Sequence, residues 1–391
     1  MKLTITAMDH LGNGIGKIDN KVVFVPKSIT GDICDIDIYK SYKKYDKGKI
    51  STISTESDSR IAALCPYYSE CGGCNISNLS YDEQLSFKVS KVKNIFKKYL
   101  NVDIAPHVIG SKKEYQYRNK ITYHISNGIG LISEFDGIVS VDNCLLVSER
   151  VNELYRLIKK EDLSKVKLVT IRDYDNGISL IINGKMNIDM LKDKCLSIYM
   201  DNRCVYHKED GYIRVNDIKY KVSPDSFFQI NTSNIGHLYD EIVRYGKFDK
   251  ADRVIDLYSG VGSISLYIAE YVGSVLGIEI VSAAVEDAKE NARLNNISNV
   301  KFICGDVSKL TGGKIDGDVL IVDPPRIGLD RHTIDVINEK KIKKIIYVSC
   351  NPMTLVRDIK LFTNYEFEDV SFVDMFPQTH HCEIVTILER K

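Results

Sequence analysis

Five short apolar runs between residues 254 and 349 each end at or just before a residue that carries chemistry, and the stretches joining them are long enough for helices. The runs are Val254-Ile255-Asp256-Leu257-Tyr258, Val275-Leu276-Gly277-Ile278-Glu279, Val300-Lys301-Phe302-Ile303, Val319-Leu320-Ile321-Val322-Asp323 and Ile345-Ile346-Tyr347-Val348-Ser349. Strands buried on both faces read this way, and strands alternating with helical segments build a parallel sheet with crossover helices. From about residue 221 onward the chain is therefore expected to be an open α/β domain. Ligands bind such sheets just beyond the carboxyl ends of the strands. Cys350 follows the last run and precedes the helix-starting pair Asn351-Pro352, so it is expected at a cleft and is read as a nucleophile. Most free cysteines are simply small buried hydrophobes, and the rest of the chain has to decide between the two readings.

The turn after the first run, Ser259-Gly260-Val261-Gly262-Ser263, has glycines that let the backbone approach a ligand. Glu279 ends the second run 19 residues after Gly260, where such folds place a carboxylate on ribose hydroxyls. A nicotinamide dinucleotide is the competing ligand, but its fingerprint needs a third glycine where Ser265 stands. An adenosyl cofactor without a pyrophosphate does not need that contact. Asp323-Pro324-Pro325-Arg326 points the same way, and an arginine in its fourth position, where amino-group methyltransferases place an aromatic ring, disfavours methylation of an exocyclic nitrogen.

Residues 1–55 read as short strands separated by glycine turns, a small oligonucleotide-binding type of β-barrel. The run from Lys40 to Lys49 interleaves lysines with Tyr42 and Tyr45, which suits phosphates and stacked bases. Residues 1–125 hold 19 Lys and Arg against 13 Asp and Glu, while the remainder holds 34 against 40. A basic end on a chain of zero net charge suits an anionic partner.

Ten cysteines are many for a reducing compartment, where they point to metal or catalysis before disulfides. Cys65, Cys71 and Cys74 are separated by gaps of five and two residues with glycines alongside, and Cys144 offers a distant fourth thiol. Such spacing suits iron–sulfur or zinc ligation. Residues 81–100 carry Leu85, Val89, Val92, Ile95, Phe96 and Tyr99 on one helical stripe. Residues 126–220 read as hairpins with one or two helices and name no chemistry. At 391 residues the chain should form two or three domains. It has neither a secretory leader pattern nor an apolar run long enough for a bilayer, so a cytoplasmic protein without membrane partners is expected.

Six motifs in order complete the reading. They are Cys65 to Cys74, Ser223-Pro224-Asp225-Ser226-Phe227-Phe228-Gln229-Ile230-Asn231, Asp256 to Gly262, Asp323 to Arg326, Ser349-Cys350-Asn351-Pro352, and Pro377-Gln378-Thr379-His380-His381-Cys382-Glu383. Together they make the chain resemble the 23S rRNA (uracil-5-)-methyltransferases that carry a TRAM domain and an iron–sulfur cluster. The resemblance implies a TRAM barrel over 1–55, a central α+β iron–sulfur domain over 56–220 and a Rossmann-like class I methyltransferase domain over 221–391. It implies Cys350 as nucleophile and Glu383 as the proton-abstracting base. S-adenosylmethionine contacts fall on Gln229, Tyr258, Ser263, Glu279, Asp306 and Asp323, and ligands of a [4Fe–4S] cluster on Cys65, Cys71, Cys74 and Cys144. Cys382 departs from the family, which usually has an apolar residue there.

The implied chemistry needs both catalytic groups. Uracil C5 is a poor nucleophile until a thiolate adds at C6, and a base must later remove the C5 proton before the thiol can leave. The target uridine must be single-stranded or flipped from its stack. A monomer acting on 23S rRNA is expected. The alternatives are the same reaction on tRNA, a cytosine-C5 methyltransferase, an inactive RNA-binding iron–sulfur protein, and zinc in place of the cluster.

Overall fold

The structure is a computed structural model that describes residues 1–224, 226–309 and 316–391. Asp225, inside one of the six motifs, lies outside the described residues.

The N-terminal strands are β1 (Lys2–Thr4), β2 (Ala7–Met8), β3 (Gly14–Ile18), β4 (Lys21–Val25), β5 (Ile33–Ser41) and β6 (Tyr45–Thr55). They form a six-stranded sheet in the order β1-β5-β6-β4-β3-β2. The sheet curls on itself, since the Thr6 N–H donates to the Ile15 carbonyl and returns the start of the chain to β3. Period-two patterning points Leu3, Ile5, Val23, Val25, Cys34 and Ile36 inward. The expected small barrel includes the two-residue β2, and its longest strand is β6, which the lysine-rich run partly conceals in the sequence.

After the barrel come the cysteine loop, α1 (Tyr81–Leu100) and β7 (His107–Ile109). Ser80 caps α1 by accepting from the Glu83 N–H, and the Glu83 carboxylate accepts from the Ser80 N–H in return. The apolar stripe of α1 buries Val92, Ile95 and Phe96 against the C-terminal domain, and β7 pairs in parallel with that domain's outermost strand. Both elements fall in the 56–220 interval of the sequence but extend the core of 221–391, because that is where an apolar face awaits them.

The central sheet is built from β8 (Lys120–Ile125), β9 (Ile129–Ile132), β10 (Ile138–Val139), β11 (Val166–Tyr174), β12 (Gly177–Gly184), β13 (Ser197–Met200) and β14 (Arg203–His207). The helix α2 (Glu149–Ile158) covers it, with Tyr155 stacked on Tyr123 at 4.0 Å between ring centroids. A hairpin, β15 (Tyr212–Val215) and β16 (Ile218–Lys221), leads into α3 (Ile235–Gly246).

The C-terminal domain alternates β17 (Arg253–Leu257), α4 (Ser263–Ile268), β18 (Ser274–Glu279), α5 (Ser282–Leu294), β19 (Val300–Cys304), β20 (Val319–Val322), α6 (Arg331–Glu339), β21 (Lys344–Ser349), α7 (Pro352–Leu361), β22 (Tyr365–Val373) and β23 (Ile384–Arg390). The sheet order is β19-β18-β17-β20-β21-β23-β22-β7. The strands from β19 to β21 are parallel, and β23 lies antiparallel to β21. The chain reverses its winding between β17 and β20, which opens the crevice that doubly wound sheets use for ligands. Both faces are covered, so Ile345, Ile346, Tyr347 and Val348 are all fully buried. Among the described residues no helix is long and apolar enough to cross a membrane.

Candidate active site

Strand register sets the first distance. Ser349 of β21 lies opposite Ile384 of β23, so the next pair outward along the two chains is Cys350 and Glu383. Residues facing each other on antiparallel strands have α-carbons roughly 4.5–5.5 Å apart. Val322 of β20 pairs with Tyr347 of β21, which brings Asp323 to the same strand ends. Two residues 33 positions apart in sequence thus meet Asp323 in one cleft.

The charges in this cleft are poorly solvated. Glu383 is 2% exposed and its Oε1 has no hydrogen-bond partner. Burial first, and then the charge of Asp323, push its carboxyl well above the ordinary range, while Arg326 opposes them. Burial pushes Asp323 up to about 7 against a hydrogen bond from the Gln229 side chain. The Cys350 thiol is pushed up to about 12 by burial and by the charges of Glu383 and Asp323, again opposed by Arg326. Arg326 is the cation of the site. Its carbonyl accepts from Asn351 Nδ2 at 3.0 Å, which docks the Pro-Pro-Arg turn onto the start of α7. Asn351 caps that helix by accepting from the Met353 N–H, with Pro352 in the first turn.

The predicted cofactor contacts line the neighbouring strand ends. Glu279 at the end of β18 accepts from the Gly260 N–H at 3.1 Å and the Val281 N–H at 2.8 Å. Tyr258 at the end of β17 has a φ of +64°, unusual for a residue with a side chain and a mark of functional turns. Nothing lies within 4 Å of where a Cβ on Gly260 would stand, so that turn is open toward the cleft. Ser263 opens α4, and its carbonyl accepts from the Tyr220 hydroxyl at 3.0 Å. Asp306 follows β19 and pairs with Lys309 at 3.3 Å. Gln229 is brought in by the central domain, whose Asn119 donates to its carbonyl at 3.0 Å. Cys382, beside Glu383, is buried in the core with Ile384 and Leu388.

Cys65, Cys71, Cys74 and Cys144 line a single cavity of about 600 Å³ between the cysteine loop and the central sheet. Among the described residues no three His, Cys, Asp or Glu side chains converge closely enough to hold one metal ion. The Gly73 N–H donates to Cys71 Sγ at 3.4 Å. A Cβ on Gly72 would fit only tightly, 3.2 Å from the Ser133 carbonyl oxygen. Arg118, which also lines the cavity, has a buried Nε without a hydrogen-bond partner. Sequence reasoning gave Arg118 no role in a site and read Arg326 only as the fourth residue of its Pro-Pro motif, because the neighbours of each arginine come from a tertiary approach.

A barrel of the nucleic-acid-binding kind, joined to a sheet whose strand ends hold a glycine turn and a ribose-type acid, defines a nucleic-acid-directed S-adenosylmethionine-dependent methyltransferase. The family model described as tRNA (Uracil-5-)-methyltransferase matches residues 313–391, one described as a methyltransferase domain matches 248–351, and one described as a TRAM domain matches 1–50. An uncharacterised RNA methyltransferase of Caldanaerobacter subterraneus subsp. tengcongensis is 34% identical over all of this chain and 98% of its own. Another, from Halalkalibacterium halodurans, is 31% identical over all of this chain and 97% of its own. The solved Pyrococcus abyssi tRNA (uracil-54, C5)-methyltransferase in complex with S-adenosyl-L-homocysteine superposes with a TM-score of 0.81 at 27% identity, covering 99% of both chains. This chain belongs to the RNA (uracil-5-)-methyltransferase family and is an S-adenosylmethionine-dependent enzyme.

Proposed function

We propose that the enzyme methylates uridine at C5 through a covalent adduct on Cys350, with Glu383 as the base that resolves it. The observation that supports this reading is the β21–β23 register, which pairs Ser349 with Ile384 and so leads directly on to Cys350 and Glu383 at the same end of the sheet. The Cys350 sulfur adds to C6 and makes C5 nucleophilic. S-adenosylmethionine supplies the electrophilic methyl group that C5 takes. Glu383 then removes the C5 proton, and the sulfur leaves C6. Arg326 opposes the burial and the Glu383 and Asp323 charges that hold the Cys350 sulfur as the thiol. Gln229 steadies Asp323, which stands where it can hold either the cofactor or the uracil ring. Gln229, Tyr258, Ser263, Glu279, Asp306 and Asp323 are the proposed cofactor contacts.

With C5-tritiated uridine in the RNA, the parent enzyme releases tritium and Cys350→Ala releases none above background. Unchanged release in that variant sinks the mechanism. Product nucleosides should contain 5-methyluridine; 5-methylcytidine would indicate a cytosine enzyme, and cofactor binding without transfer an inactive one.

The RNA is proposed to be 23S rRNA, on the combination of the TRAM barrel with the four-cysteine motif, and the enzyme to act in the cytoplasm as a monomer. Transfer RNA is the second reading, favoured by the full-length likeness to the Pyrococcus abyssi tRNA (uracil-54, C5)-methyltransferase. Mapping 5-methyluridine in both RNAs, with and without the enzyme, separates them. The four thiols are proposed to hold a [4Fe–4S] cluster. Each thiolate of such a cluster binds a different iron, so thiols spaced around a cavity suit it, whereas a single zinc requires them to converge. The unpartnered Arg118 Nε suits the negative charge that four thiolates bring. When bound, the cluster would cross-link the loop to the central sheet.

A further inference from the structure

The loop from Asp374 to Glu383 is held in place by residues outside the methyltransferase sheet. Gln378, at its middle, has a φ of +70°, so the turn depends on its surroundings to stay in that conformation. Its N–H donates to Gln84 Oε1 at 2.8 Å, and its Oε1 accepts from Gln84 Nε2 at 3.1 Å. Its carbonyl accepts from the N–H groups of Asn75 at 3.1 Å and Ile76 at 3.3 Å. Two residues on, the His380 ring meets Asn75 Oδ1 through Nδ1 at 2.8 Å, and the His380 carbonyl accepts from Lys91 Nζ at 2.9 Å. Burial and the nearby Lys91 hold the His380 ring neutral, so with Asn75 Oδ1 accepting, the ring N–H donates. Asn75 directly follows Cys74 in the chain. The cysteine loop and the loop that delivers Glu383 are therefore hydrogen-bonded to each other.

We propose that Asn75 of the cysteine loop and Gln84 of α1 are positioning residues for Glu383, so that these two segments govern removal of the C5 proton after methyl transfer. This rests on Glu383 being the base. In that step the Glu383 carboxylate takes the C5 proton. The C–H electron pair becomes the C5–C6 double bond, the C6–S bond breaks, and its pair returns to Cys350 as thiolate. Misplacing the carboxylate slows this step alone, and the methylated protein–RNA adduct builds up behind it.

The test uses the full-length protein, S-adenosylmethionine and C5-tritiated RNA. Asn75→Ala and Gln84→Ala should release tritium about tenfold more slowly, a barrier change of about 1.4 kcal/mol, while a denaturant-resistant methylated adduct accumulates several-fold above the parent. Affinity for S-adenosylmethionine should stay within about twofold. Asn75→Asp keeps the accepting oxygen and should behave like the parent. Slow turnover without adduct overturns the proposal, as does equal impairment of Asn75→Ala and Asn75→Asp. Glu383→Gln separates the two readings. If it traps no adduct, the assignment of the base fails; if it traps adduct and neither alanine variant does, only the positioning role fails.

Discussion

Asp256 shows at the scale of one residue what a buried carboxylate costs this fold. It is 1% exposed, its Oδ1 has no partner, and its Oδ2 accepts from Ser265 Oγ at 2.5 Å. Burial, with the charges of Asp323 and Glu279, pushes it up to about 7. Between roughly pH 4 and 7 the folded chain holds a proton that the unfolded chain releases, so this group's contribution to stability falls as pH rises through that window. Asp256→Asn removes the penalty. Urea unfolding should show the variant more stable than the parent at pH 8, by on the order of 3 kcal/mol, and nearly equal at pH 4 or below. A variant no more stable at pH 8 would mean that Asp256 is ionised at little cost. Single residues were also where the sequence was most and least legible. The strand ends that carry Cys350 and Glu383 are readable because short motifs mark them. The left-handed Gln378 and the two arginines are not, since their roles arise only when separate segments meet.

At the scale of elements, α1 is the clearest case of a segment whose type was readable and whose partner was not. Its period predicted a helix over 81–100, and the helix spans Tyr81–Leu100. Nothing in that period said that it would leave its neighbours in sequence and seal the methyltransferase sheet. The signal was Lys88, a charge on the buried side. Its Nζ meets Asp374 Oδ1 at 2.7 Å and the Phe376 carbonyl at 2.9 Å, with both charged side chains fully buried. The Tyr81 hydroxyl donates to the other Asp374 oxygen at 2.9 Å. Replacing a buried pair with apolar groups is often neutral, but breaking one strands a charge. Lys88→Met should destabilise the protein by about 3–5 kcal/mol in denaturant unfolding, and Lys88→Met with Asp374→Leu should recover much of that loss. Equal losses in the single and double variants would mean that the pair serves packing and not charge balance.

Across the whole molecule the cysteine loop is the junction between barrel, central sheet and catalytic domain. Lys27 of the barrel is buried and donates to the Cys71 carbonyl at 3.0 Å and to the Cys74 carbonyl, beside Glu134 at 3.4 Å. The Gly72 N–H donates to the Ile132 carbonyl at the end of β9. Asn75 and Ile76 then meet Gln378 on the far side. Six motifs in order made the domain sequence legible, but this junction was not, because its bonds run between segments 44 to 305 positions apart. On the proposed [4Fe–4S] cluster, protein isolated without oxygen should be brown and contain about four irons and four acid-labile sulfides per chain. Cys144→Ser should lose most of that iron, and its melting temperature should drop by several degrees. Colourless protein with one zinc per chain would overturn the cluster, and iron retained in full by Cys144→Ser would remove Cys144 from the ligand set.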